Sequence, residues 1–119
     1  MVLSLFLALL FVTSAYGGSL SLNVKEFSCK EDGYSVKFGV INSYTYDRNP
    51  TLAFKVVVGE QVLACETITL NVPAGSDGSD LHEVTFNLRC EDKQLNLQYR
   101  IFERRAANRV GVWLEDCPK

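Results

Sequence analysis

The stretch YSVKFGV, residues 34–40, alternates Tyr34, Val36, Phe38 and Val40 with Ser35, Lys37 and Gly39. A period of two puts the first set on one face of an extended chain and the second on the other, the pattern of a half-buried β-strand. The alternation recurs on both sides of this stretch. Upstream, Leu20, Leu22 and Val24 alternate with Ser21, Asn23 and Lys25. Downstream come Leu52, Phe54, Val56 and Val58, then Ile68, Leu70 and Val72, then Val84, Phe86 and Leu88. Leu95, Leu97, Tyr99 and Ile101 follow, and the last run is Val110, Val112 and Leu114. No segment reads as a helix. Short polar connections separate the runs: Lys30 to Gly33, Asn42 to Pro50, Gly59-Glu60, Pro73 to Asp80, and Glu91 to Gln94. About seven short strands with regular turns predict an all-β, immunoglobulin-like antiparallel two-sheet sandwich.

Parity also predicts where the ladders slip. With Gly59-Glu60 as a tight turn, Leu63 and Cys65 share a face with Phe54, Val56 and Val58. Ile68, Leu70 and Val72 then need a bulge or break near Glu66-Thr67 to return to that face. A similar slip is expected after Val24, because Phe27 and Cys29 fall on the opposite parity.

The chain has 119 residues, 47% hydrophobic and 22% charged, with 12 basic and 14 acidic side chains and a net charge of -2. This length fits one domain, and the composition excludes disordered and collagen-like chains. The strongly basic balance of a nucleic-acid binder is missing. Residues Val2 to Val12 (VLSLFLALLFV) are apolar and precede the small residues Thr13, Ser14, Ala15 and Gly17. This reads as a secretory signal peptide over residues 1–17, too short for a membrane span. Residues 18–119 then form a single secreted, soluble domain.

Export gives the cysteines their meaning. Cys29, Cys65, Cys90 and Cys117 read as two disulfides in an oxidising compartment, and their spacing leaves all three pairings open. No Cys-x-x-Cys pair occurs and His82 is the only imidazole, so neither a metal nor a cofactor is expected. No nucleophile motif accompanies His82, which argues against an enzyme.

The order and flanks of the cysteines resemble the N-terminal domain of zona pellucida modules, the ZP-N domain. Cys29 precedes the alternating strand of Tyr34, Val36 and Phe38. A Leu-rich strand at Leu52, then Gly59, leads to Cys65. The strand Val84-Thr-Phe86-Asn-Leu88-Arg runs into Cys90, a strand carrying Tyr99 follows, and the last strand ends at Cys117. The resemblance spans Val24 to Cys117. It implies an immunoglobulin-like sandwich, a pairing of Cys29 with Cys117 and Cys65 with Cys90, and self-association in extracellular coats or filaments.

Three groups of residues are candidates for binding. Arg100, Arg104, Arg105 and Arg109 cluster around the last expected hairpin, offset locally by Glu103, and could steer an acidic protein or a sulfated glycan. Tyr44 and Tyr46, with Arg48, lie in the long polar loop, and these residue types suit recognition surfaces. Asp77, Asp80 and Glu83 gather oxygens around a Gly/Ser loop, where calcium or plain solvation are the alternatives. Unpaired sheet edges are a further binding device. No glycosylation sequon is present.

The sequence therefore predicts a secreted, non-enzymatic module for protein–protein contact with an extracellular or cell-surface protein, including a second copy of itself. The resemblance implies an egg coat, gamete recognition or another extracellular matrix as its setting. A lipid carrier with splayed sheets, and a secreted effector or inhibitor using the arginines, are the alternatives.

Overall fold

A computed structural model describes residues 18–31, 33–90, 93–103 and 107–118. The expected signal peptide lies outside the described residues. Six strands and one short helix follow in order: β1 (Leu20–Lys30), β2 (Gly33–Asn42), β3 (Thr51–Val58), β4 (Gln61–Thr69), β5 (Asp77–Phe86), β6 (Asn96–Phe102) and α1 (Ala107–Trp113). They build two antiparallel three-stranded sheets, β1-β2-β5 and β4-β3-β6. The sheets stack with β1 against β6 and β4 against β5. The all-β two-sheet sandwich is the fold that the alternation predicted, and its four cysteines form the two disulfides expected of them.

The two central strands supply most of the core. Val36 and Phe38 of β2 meet Leu52, Phe54 and Val56 of β3, all with no exposed surface, and Phe86 of β5 joins them. Burying a side chain of this size stabilises by about 1.5–3 kcal/mol. The Phe38 and Phe54 rings, from opposite sheets, lie 5.2 Å apart in a tilted arrangement. Gly39 marks where β5 crosses closest: a Cβ there would lie 1.9 Å from the Gly78 carbonyl oxygen. Only glycine fits at such an approach.

The slip after Val24 is present. Val24 pairs with Phe38 and Glu26 with Lys37, so Lys25 is the extra residue, and Phe27 and Cys29 return to the inner parity opposite Val36 and Tyr34. Gly59-Glu60 forms the expected turn, with Gly59 at φ 58° and Val58 opposite Gln61.

Three expectations are corrected. The bulge of β4 is at Leu63, not near Glu66-Thr67: Val57 pairs with Val62 and Val56 with Ala64, and the ladder then runs unbroken through Phe54–Glu66 and Ala53–Thr67. This early slip turns Ala64 and Ile68 inward and puts Cys65 opposite Lys55 on the outer parity. Residues Val110 to Leu114 do not form a strand, because α1 occupies Ala107–Trp113. Finally, Cys29 bonds Cys90 and Cys65 bonds Cys117, with Cα separations of 5.7 and 6.0 Å. The pairing implied by the ZP-N resemblance is thus replaced by an interleaved one. Cys117 follows a helix lying on the outer side of the second sheet, and there it meets the cysteine that the Leu63 bulge has turned outward.

Candidate recognition face

β2 ends at Asn42, which is 1% exposed. Its amide nitrogen donates to the carbonyls of Val72, Tyr46 and Pro73 at 3.0, 3.2 and 3.2 Å, and its oxygen accepts the Tyr44 N–H at 2.9 Å. A buried amide with its hydrogen-bonding capacity met in this way organises the loop around it. The loop then returns beside residues 70–74, where Arg48 and Val72 exchange backbone hydrogen bonds of 3.0 and 2.7 Å.

This folding sets two tyrosines around one guanidinium. The Arg48 guanidinium lies 4.3 Å from the Tyr44 ring centroid and 5.1 Å from that of Tyr46, and Nη1 donates to the Tyr46 hydroxyl at 2.6 Å. Arg48 Nη2 also pairs with the Glu103 carboxylate, tying the loop to the end of β6. Cation–π contacts of this kind contribute about 0.5–2 kcal/mol, more as they are desolvated. Tyr46 remains 55% exposed beside this fixed cation.

The second half of the face forms on the outer side of the β4-β3-β6 sheet. Lys55 stands there on β3, only 7% exposed, because α1 covers it. Its ammonium is 4.2 Å from the Trp113 ring centroid and 2.9 Å from Asp116 Oδ1. The Trp113 ring also meets Phe102 edge-on at 6.3 Å. The Cys65–Cys117 bridge fastens the chain just beyond the helix to the same sheet face. An open cleft is left between β6 and α1, lined by Arg100, Phe102, Glu103, Arg109, Val112 and Trp113 among others.

The Lys55 hydrogen bond holds the Asp116 carboxyl below its usual range. A carboxyl with a depressed folded-state pKa stabilises the fold above its unfolded value and loses that contribution as pH falls through the folded value. The α1 clamp is therefore expected to hold at neutral pH and loosen below the ordinary aspartate value of 3.8. Trp113, the only tryptophan, reports this: its fluorescence should be flat above that value and change below it. In Asp116→Asn that acid transition should disappear.

The candidate residues from the sequence thus fall into place unevenly. Tyr44 and Tyr46 flank Arg48, whereas Arg100 and Arg109 line the cleft. Glu103 lines both the cleft and the smaller recess beside Tyr46 and Arg48, so the two groups form one continuous face. Arg104 and Arg105 lie outside the described residues. Among the described residues no strand follows β6 to close the expected last hairpin: Arg100 lies on β6 and Arg109 on α1. Asn42, Lys55, Val112 and Trp113 were not anticipated. Lys55 had a signal, as the one charge inside the apolar run LAFKVVV, and so did Trp113, as the lone tryptophan just before Cys117.

The other candidates have local roles. Asp77 Oδ1 accepts the Ser79 N–H at 2.9 Å and the Ser79 hydroxyl at 2.5 Å, and these bonds lower its pKa. Among the described residues, no three His, Cys, Asp or Glu side chains gather as a metal site. The His82 ring packs 5.7 Å from Phe38. Both recesses lie outside the sandwich and not between its sheets, so neither favours a lipid carrier. No helix among the described residues is long and apolar enough to cross a membrane. The chain matches no family model, no curated protein and no solved structure.

Proposed function

We propose that this chain is a secreted, non-enzymatic recognition module that binds an extracellular or cell-surface protein through the face joined by Glu103. The observation that carries this reading is the shared carboxylate: Glu103 borders both the Tyr44–Arg48–Tyr46 stack and the cleft of Arg100, Arg109 and Trp113. Tyr, Trp and Arg are the residue types that dominate binding energy at protein interfaces. Here a disulfide, the ion pair of the buried Lys55 with the exposed Asp116, and stacked rings hold several of them in place, which reduces the ordering cost of association. Two disulfides suit an oxidising, extracellular setting. The egg coat, gamete surface or other matrix implied by the ZP-N resemblance is the setting proposed first.

The test is a panel of extracellular ectodomains probed with residues 18–119, alongside light scattering of the chain alone. A bound ectodomain, or a second copy, is expected. Tyr46→Ala should weaken that binding roughly tenfold, the loss typical of an aromatic anchor. The fold is kept and stability falls by no more than about 1 kcal/mol, because Tyr46 is mostly exposed and loses only its contacts with Arg48 and Tyr44. Binding indifferent to Tyr46, Val112 and Arg100 together would remove the face from consideration.

A further inference from the structure

The charges of the cleft are unequally engaged. Of its carboxylates, Asp116 is paired with Lys55 and Glu103 with Arg48, which leaves Glu115. Arg100 and Arg109 are exposed, and neither makes an ion pair with a described residue. Two guanidiniums thus face solvent against one carboxylate. Beside them Val112 is 70% exposed, the most exposed of the large hydrophobic side chains among the described residues. Its neighbour Trp113 is held over Lys55 and Phe102.

We propose that this cleft takes an acidic, extended protein segment. Arg100 and Arg109 grip its carboxylates, and an apolar side chain of the segment packs on Val112 and Trp113. Guanidinium forks match carboxylates bidentately, a geometry that lysine does not offer. With Glu103 and Asp116 already paired to Arg48 and Lys55, the unpaired charges of the described cleft residues are two guanidiniums against one carboxylate, an excess of one positive charge that favours an acidic partner. A sulfated glycan has no use for an exposed valine, and among the described residues of the cleft it meets two unpaired cations with Glu115 beside them. This inference rests on the reading of the face as protein-binding and narrows it to one partner chemistry.

The test is an amide NMR titration of residues 18–119 with three probes. These are a short peptide alternating Asp and Leu, its Asn–Leu counterpart, and a heparin-derived oligosaccharide. The Asp–Leu peptide should shift resonances of Arg100, Arg109, Val112 and Trp113. The Asn–Leu peptide should bind roughly tenfold more weakly or not at all, the scale of one charge-assisted contact. Arg100→Glu with Arg109→Glu should abolish the shifts, and Arg100→Lys with Arg109→Lys should leave intermediate affinity; unchanged Trp113 fluorescence confirms that both variants are folded. Equal binding of the two peptides, indifference to charge reversal, or binding of the oligosaccharide alone would overturn the proposal. If the Asp–Leu peptide fails while Tyr46→Ala still weakens an ectodomain partner, the acidic segment is refuted and the recognition face stands.

Discussion

Phe38→Ala is expected to lower the unfolding free energy by about 3–5 kcal/mol, the cost of removing a fully buried phenylalanine and leaving its cavity. Phe38 has no exposed surface, stacks on Phe54 of the opposite sheet at 5.2 Å, and packs on His82 at 5.7 Å. Its pairing partners Val24 and His82 lie on both flanking strands, so the cavity would open where all three strands of one sheet meet the other sheet. A domain of this size has only about 5–15 kcal/mol of net stability. Urea unfolding followed by far-ultraviolet circular dichroism measures the loss. A change under about 1 kcal/mol would mean that Phe38 is not at the centre of a packed core.

Removing the Cys65–Cys117 bridge, as Cys65→Ala with Cys117→Ala, should act at a different place. Its cysteines are 52 residues apart, and loop-closure entropy assigns such a bridge about 4 kcal/mol, of which real bridges often deliver less. More telling is where the effect appears. The buried core cluster consists of strand residues and Val72, with nothing from α1, so the sandwich should keep its strand signal. The helix should come away. Lys55 would lose its cover, Trp113 would become open to a soluble quencher, and binding through Arg109 and Val112 would be lost. Persistent shielding of Trp113 in this variant would show that the helix docks without its covalent tether. Cys29→Ala with Cys90→Ala is the control, since that bridge joins β1 to the segment after β5 and should leave Trp113 shielded.

Much of this architecture is legible in the residues, for a definite reason. Wherever one face of a strand is buried, its apolar side chains report the register. That is why Phe27 and Cys29, out of phase with Leu22 and Val24, revealed the slip at Lys25. The same logic misplaced the β4 bulge, because Leu63, Ala64 and Cys65 are all compatible with an inner face and parity could not say which was the extra residue. Backbone pairing with Val56 and Val57 decides it. The terminal helix was missed because Val110, Val112 and Leu114 alternate. Yet Val110, Trp113 and Leu114 also stand at helical i, i+3 and i+4 spacing, and Val112 is the residue left facing water. Those two misreadings concealed the disulfide pairing, since only an outward Cys65 and a helix on the outer sheet face bring Cys65 to Cys117.

The candidate face was legible as residue types and not as a place. Tyr44, Tyr46 and the arginines stood out by chemistry alone. That they share one surface depends on Asn42 folding the loop and on Glu103 reaching Arg48 across 55 residues, which no local pattern encodes.

The central claim is that α1 is fastened to the outer face of the second sheet and so completes the recognition face. Peptide mapping of the unreduced chain tests it most directly. The account predicts one linked pair of peptides carrying Cys29 and Cys90 and another carrying Cys65 and Cys117. Linkage of Cys29 to Cys117 and of Cys65 to Cys90 would contradict it, by placing the end of the chain against the first strand and leaving the cleft without its second wall.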